Sequence, residues 1–530
     1  MSADEARGEG SEAAGERKKL AARAGVIGAG TLASRVLGLG RDMALAAIFG
    51  RAETDAFFVA FTIPNALRQI LGEGAISSAV VPVLAGKLAT EGDEPARKFF
   101  AKVRGVSLLA LALVTALGVA FAGPLTALFA SGYEGASFER TAQLTRWVFP
   151  YIFFMGTAAL GMAALNAKRK FAVAAFAPGL LNVAFLVAAF ALPGPLAAAG
   201  LDRSLAMAVG ALLGGALQVV AQWPALRRIG FLDRPRLDLS DPGVRDVLRR
   251  LGPMTFGIGV YYIDLVLSRR FLSELGEGAQ SYFSWAMRLC DFPQGIFVMA
   301  ISTAALPSLS ALAAKGEIDE LRKTYAHGMR LAMFVAIPCS IALAVLGRPI
   351  VAMLFQRGHF DAVSTAETAK SLLYQGGAIW TVSAVRQLVP VFHATGDTKT
   401  PVIVSAIDLV AFIVLAVVLR GPMGHAGVSA AVAGSSFVQM VLLVAFAKKR
   451  MRGLAMGEIG ASVAKTLIAS GVAGVTGWGL ARLTDGLGSI VPGLVACIAF
   501  VAVYAVVAWA LRSPELEEIG GGLARRLRRR

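Results

Sequence analysis

The sequence predicts an all-α, polytopic membrane protein of about fourteen transmembrane helices, and three observations carry that prediction. Residues of the set AVILMFWYC make up 56% of the chain, and Asp, Glu, Lys and Arg only 16%, against about 25% charged in a soluble domain. The apolar runs are about 20 residues long, which at 1.5 Å rise per residue crosses a hydrocarbon core of ~30 Å. They are continuous, whereas a transmembrane barrel shows ~10-residue alternating segments, so lipid-facing backbone here must be satisfied as helix.

In chain order, the spans fall near residues 24–48, 55–86, 104–131, 143–166, 171–193 and 203–226, followed by 252–272, 281–312, 328–355, 366–395, 400–420, 425–447, 459–483 and 488–511. Basic residues gather in alternate loops. They cluster at Lys87 to Arg104, Lys168 to Lys170, Arg227 to Arg250, Lys315 to Lys323 and Lys448 to Arg452. This is the positive-inside pattern, with an even number of spans and both termini cytoplasmic. It accounts for the net charge of +17 without nucleic acid as a partner.

The basic connection Arg227–Arg250 separates six spans from eight. The expected organisation is a disordered cytoplasmic extension (1–20), an N-terminal lobe (21–228), a cytoplasmic amphipathic linker (229–250) and a C-terminal lobe (251–450). Two further helices (451–512) and a basic cytoplasmic tail (513–530) complete it. Residues 1–20 lack the order of a signal peptide. Repeated halves are common in transporters, and short echoes are present here: Pro64-Asn65-Ala66-Leu67-Arg68 against Phe292-Pro293-Gln294-Gly295, and the apolar runs around Pro82 and Pro307. Cys290, Cys339 and Cys497 lie inside apolar runs and read as small core residues, and the four histidines show no metal-binding spacing.

The unusual feature is charge inside these spans. The first carries Arg35, Arg41 and Asp42, and the second carries Asp55, Arg68 and Glu73. An arginine near the bilayer centre costs at least ~2.5–3.5 kcal/mol on insertion scales, so intramembrane charges face a cavity or pair with one another. Arg35 and Arg41 lie ~120° apart around a regular helix. They share a face only if the helix bends, which Gly38-Leu39-Gly40 permits; the same glycines equally serve close packing. With Arg288, these arginines form a cationic set suited to the oxygens of a diphosphate. Ion pairing that merely fixes helix packing is the alternative. Arg386 is left outside the set, and Arg269 and Arg270 read as an interfacial flank of the seventh span.

The run Ala33-Ser34-Arg35-Val36-Leu37-Gly38-Leu39-Gly40-Arg41-Asp42, then Thr54-Asp55-Ala56-Phe57-Phe58, Pro64-Asn65-Ala66-Leu67-Arg68 and Glu73-Gly74-Ala75, closely resembles the MurJ (MviN) family of lipid II flippases. That family lies within the multidrug/oligosaccharidyl-lipid/polysaccharide exporter superfamily. Matches continue at Arg288 with Phe292-Pro293-Gln294-Gly295, at Phe355-Gln356-Arg357-Gly358 and at Gly396-Asp397-Thr398-Lys399-Thr400-Pro401.

The resemblance implies a multi-pass transporter of the cytoplasmic (inner) membrane, acting as a monomer among membrane lipids and breaking no covalent bond. It would alternate between inward-open and outward-open states and carry lipid II, the undecaprenyl-diphosphate-linked peptidoglycan precursor. Arg41, Arg68 and Arg288, with Arg35, would bind the diphosphate. Ser34, Asp42, Asp55, Asn65 and Glu73 would gate or support the cavity, and helices over 459–511 would hold the lipid tail. No cofactor is expected. Coupling to the membrane potential, Na+ or H+ is open, because Phe412 and Ala416 stand where some relatives place sodium ligands; Asp264 and Asp408 remain as candidates. Rival readings are a polysaccharide-lipid or multidrug exporter of the same superfamily, a membrane enzyme and a channel. A cation-drug exporter calls for acidic residues in excess, an enzyme for a sizeable outer loop, and a channel for a carbonyl filter or charge ring.

Overall fold

The computed structural model describes residues 30, 33–70, 76–257, 259–451 and 453–518, and among these all regular secondary structure is helical, with no strand. The expected disordered extension, Glu73 and most of the basic tail lie outside the described residues. Eight helices among the described residues are long and apolar enough to cross a membrane by length and composition. Several other predicted spans are built from two shorter helices in succession.

The chain forms two compact units. The first comprises residues up to Phe49 together with Ala56–Tyr262; the second comprises Gly50–Asp55 and everything from Ile263 onward. In the first unit, α1 covers 33–48, α2 Arg51–Ile70, α3 Ile76–Thr90, α4 Asp93–Ala120, α5 Ala122–Phe129, α6 Gly135–Val148 and α7 Tyr151–Ala167. It continues with α8 Phe171–Ala191, α9 Pro193–Ala198, α10 Leu205–Arg228 and α11 Pro242–Gly257. The opening turn of α2 counts with the second unit, and α12 (Gly259–Ser273) crosses the boundary in sequence. α1 is helical without a break through Gly38-Leu39-Gly40. Arg35 therefore stays ~120° around the helix from Arg41.

The core at the basic end of this unit packs Phe99, Phe100 and Val103 of α4 against α7, against Phe231 from the connection after α10 and against Val244 and Val247 of α11. That connection is docked. The Arg236 N–H donates to the Ala101 carbonyl at 3.0 Å, and a Cβ at Gly105 would stand 2.2 Å from the Arg236 carbonyl oxygen, so only glycine lets the two backbones meet. Asp241 accepts from the Gly243 and Val244 N–H groups and opens α11, while Lys102 Nζ reaches both Asp238 and Asp241.

In the second unit, α13 spans Ala279–Pro293 and passes through a π-helical turn, Gln294–Val298, into α14, Met299–Lys315. Pro293 has no N–H to give its predecessor turn, and the widened turn follows directly. Then come α15 (Ile318–Val345), α16 (Gly347–Phe355), α17 (Ala362–Gly377), α18 (Ile379–Ala394), α19 (Lys399–Met423), α20 (His425–Arg450), α21 (Met456–Leu483) and α22 (Val491–Ala510). The predicted span 366–395 is thus α17 and α18, broken at Ala378. The unit's core joins α15, α18 and α20 through Leu321, Tyr325, Met329, Leu388, Phe392 and Leu443.

Candidate functional site

Arg41 and Asp42 sit on α1 with 9% and 5% of their surface exposed. A buried guanidinium needs its donors matched, and here they are. Arg41 Nε and Nη2 donate to Asp42 Oδ1 at 2.9 and 2.6 Å, and Nη1 donates to Asn182 Oδ1 of α8 at 3.0 Å. The Asn182 amide nitrogen in turn donates to the Ser34 carbonyl at 2.9 Å, tying both turns of α1 to α8. The guanidinium stands 5.3 Å from the centre of the Phe185 ring, which meets Phe57 and Phe61 of α2 edge-on. At Gly38 a Cβ would meet Asn182 at 3.7 Å, an ordinary contact distance, and the helix runs through unbroken.

Of the other predicted residues in the first unit, Asn65 Oδ1 accepts from Arg68 Nε at 3.0 Å, one turn apart on α2. Arg35 is half-buried on α1, off the face that carries Arg41.

Asp55 belongs to a different arrangement, inside the second unit. Its Oδ2 accepts from the Gly278 N–H at 2.5 Å, and its Oδ1 accepts from the Ser281 N–H and hydroxyl at 2.7 and 2.5 Å. Thr54 Oγ1 lies 2.7 Å from the same hydroxyl. Gly278 precedes α13 with φ +94°. Asp55 therefore caps the helix that carries Arg288, placing a carboxylate on the donor end of its backbone. Arg288 is half-buried on α13.

Sequence reasoning missed two polar residues here. Asn182 is a lone amide in an apolar run, and only its cost of burial hinted at a partner. Arg269, read as an interfacial flank, is instead 7% exposed and bonded inward: Nη1 donates to Gln280 Oε1 at 3.0 Å and to Ser284 Oγ at 2.7 Å. Arg270, its neighbour, is exposed as a flank should be. Phe412 and Ala416 are buried among Phe271, Phe283 and Val428, an apolar setting. Asp264 and Asp408 each keep one buried carboxylate oxygen without a hydrogen-bond partner. Among the described residues no three His, Cys, Asp or Glu side chains gather in a way that would hold a metal.

Comparison with known proteins decides what this framework is. The family model for lipid II flippase MurJ matches residues 45–496. The chain belongs to the lipid II flippase MurJ family. A probable lipid II flippase MurJ of Vibrio cholerae is 35% identical over 436 residues, 80% of this chain and 82% of its own. A lipid II flippase MurJ of Burkholderia cenocepacia is 34% identical over 427 residues, 79% of this chain and 82% of its own. In fold, the chain is similar to a solved lipid II flippase MurJ in an inward closed conformation, with TM-score 0.74 and 23% identity over 92% of this chain and 99% of that one. An inward-facing multidrug MATE transporter is more distant, with TM-score 0.64 and 16% identity over 79% of this chain and 94% of that one. MurJ membership makes this a multi-pass membrane protein of a transporter family and favours the flippase reading over the multidrug one.

Proposed function

We propose that this protein is an alternating-access flippase that carries lipid II from the inner to the outer leaflet of the cytoplasmic membrane. The observation that carries the reading is the family match over residues 45–496, joined to an intramembrane arginine set at Arg41, Arg68 and Arg288. The basic loops assign the α3–α4 and α10–α11 connections to the cytoplasm.

The geometry at Arg41 suggests how a buried cation can wait for an anionic substrate. An unpaired guanidinium in low dielectric is costly, so Asp42 holds it until a diphosphate arrives. The diphosphate offers the same paired oxygens with more charge, and it exchanges for Asp42 at the Nε and Nη2 face. Asn182 keeps the Nη1 side, so the fork stays aimed during the exchange. Arg68, steadied by Asn65, and Arg288, on the helix that Asp55 caps, complete the set. Rocking of the lobes then exposes the headgroup outward while the tail stays in lipid. An inside-negative potential favours outward movement of negative charge by ~2.3 kcal/mol per charge per 100 mV. Asp264 and Asp408 are the place where a coupling proton or Na+ would be taken up, given their uncompensated oxygens.

The test is lipid II export in cells depleted of their own flippase. Wild type is expected to restore it, Arg41→Ala to abolish it at equal membrane levels, and Arg41→Lys to restore it in part because the fork is lost. Full export by Arg41→Ala, Arg68→Ala and Arg288→Ala alike overturns the site.

A further inference from the structure

A cavity of about 1180 Å³ opens in the first unit between α4, α7, α10 and the docked connection after α10. Four arginines line it, Arg97 and Arg104 from α4 and Arg227 and Arg228 from α10, against one acid, Asp233. Arg97 takes up that acid, with Nη2 at 3.2 Å from Asp233 Oδ1. Arg104 spends its donors on the carbonyls of Phe231 and Asp233, which bind its N–H groups and leave its charge in place. Arg227 and Arg228 are exposed, and neither has an ion pair among the described residues. The cavity is therefore cationic by three charges that nothing on its wall neutralises.

Deeper in the same cavity lies Gln222, 1% exposed, with both the oxygen and the nitrogen of its amide unpartnered. A buried amide left so is costly, which marks it as a group built for a ligand atom. Gly161 makes room for it: a Cβ there would stand 2.4 Å from Gln222 Oε1. The remaining wall is apolar, and its indole, Trp223, leads onto an exposed stripe of α10 at Leu213, Leu217 and Val220. That stripe has helical spacing and faces away from the core. Cations, a buried amide and an apolar path from the same mouth describe an amphiphile with an anionic head.

We propose that this cavity is a lipid site separate from the transport arginines, and that it binds the phosphate headgroup of an anionic membrane phospholipid with its chains along the α10 stripe. Basic pockets between membrane helices on the cytoplasmic side suit such headgroups. The assignment rests on the loop-charge orientation and on the first unit alone, so it stands or falls apart from the translocation reading.

The experiment uses the purified full chain in nanodiscs of phosphatidylcholine doped with phosphatidylglycerol and free of lipid II, with retained lipid counted by native mass spectrometry. Wild type is expected to keep phosphatidylglycerol over phosphatidylcholine. Arg227→Glu with Arg228→Glu should reduce that retention roughly tenfold, and Gln222→Leu, which keeps the volume, should reduce it severalfold. Lys448→Glu with Lys449→Glu, an equal charge change at the exposed end of α20, should leave it unchanged. Equal loss in that control, retention unaltered by both cavity variants, or complete displacement of the lipid by millimolar inorganic phosphate overturns the proposal. Retention restricted to an undecaprenyl diphosphate probe also overturns it, since the cavity would then be an entry station for the transported lipid. Failure of wild type to restore lipid II export in flippase-depleted cells, with phosphatidylglycerol retention intact in the nanodiscs, would count against the flippase reading only.

Discussion

Arg41 and Asp55 are both charged groups placed inside predicted spans, and the protein accommodates them in opposite ways. Arg41 is matched by side chains, Asp42 and Asn182. Asp55 is matched chiefly by main-chain N–H groups at the start of α13. A side-chain partner can leave, rotate or be exchanged for a ligand. A backbone donor cannot be deleted, and once its acceptor is gone it stays unsatisfied. The first arrangement is therefore suited to handing an arginine to a substrate, and the second to holding a helix end in place.

The largest effect that separates them comes from breaking the pair. Asp42→Ala strands a buried guanidinium and is expected to cost about 3–5 kcal/mol, read as a large drop in the melting temperature of purified protein. Replacing both partners, Arg41→Leu with Asp42→Leu, should recover most of that loss while export stays at zero. At Asp55 no second substitution can do the same. Asp55→Ala should cost about 1–3 kcal/mol through the uncapped Gly278 and Ser281 donors, and a compensating change at Ser281 should not restore it. Recovery of stability by Ser281→Ala in the Asp55→Ala background would erase the distinction.

A smaller effect sharpens the same comparison from the side of α8. Asn182→Leu removes the acceptor for Arg41 Nη1 and the donor to the Ser34 carbonyl but leaves the ion pair intact. About 1–2 kcal/mol of stability should go. Export should fall more steeply than stability does, because the fork loses its aim. Proportional loss of the two would make Asn182 a packing residue only.

What could be read in advance follows a physical division. The helical class and the cationic positions were legible because apolar length and buried charge are local properties of the chain. Partners across the fold were not. Asn182 lies 141 residues from Arg41, and one amide in an apolar run carries no address. Arg269 looked like a flank because its neighbour Arg270 is one, yet a single residue step turns a side chain by ~100° around a helix and into the core. The interruptions at Ala378 and after Pro293 were hidden for a related reason: hydropathy registers a span's length and not the continuity of its hydrogen bonds.

The smallest effect tests whether capping by a carboxylate behaves alike away from the membrane interior. Asp397 precedes α19, where its Oδ1 accepts from the Thr400 N–H at 3.0 Å and its Oδ2 from the Thr400 hydroxyl at 2.8 Å, with Arg450 Nη1 at 3.2 Å. The Thr400 backbone bond, then its hydroxyl and the Arg450 charge, hold this carboxyl below the usual carboxylate range. A depressed value means that the folded state favours the ionised form. The stabilisation is thus complete above the ordinary value of about 3.9 and is lost as pH falls through the folded one. Asp397→Asn should lower stability at pH 7 by no more than about 1 kcal/mol, the range of a partly exposed pair. The gap to wild type should hold constant from pH 8 to 6 and begin to narrow as pH falls towards about 4. A gap that does not narrow at all between pH 5 and pH 3 would mean that hydrogen-bond geometry, rather than charge, makes Asp397 a cap. The contrast drawn from Asp55 would then extend to neutral caps as well, since an acceptor of the right shape would suffice for backbone donors wherever they lie.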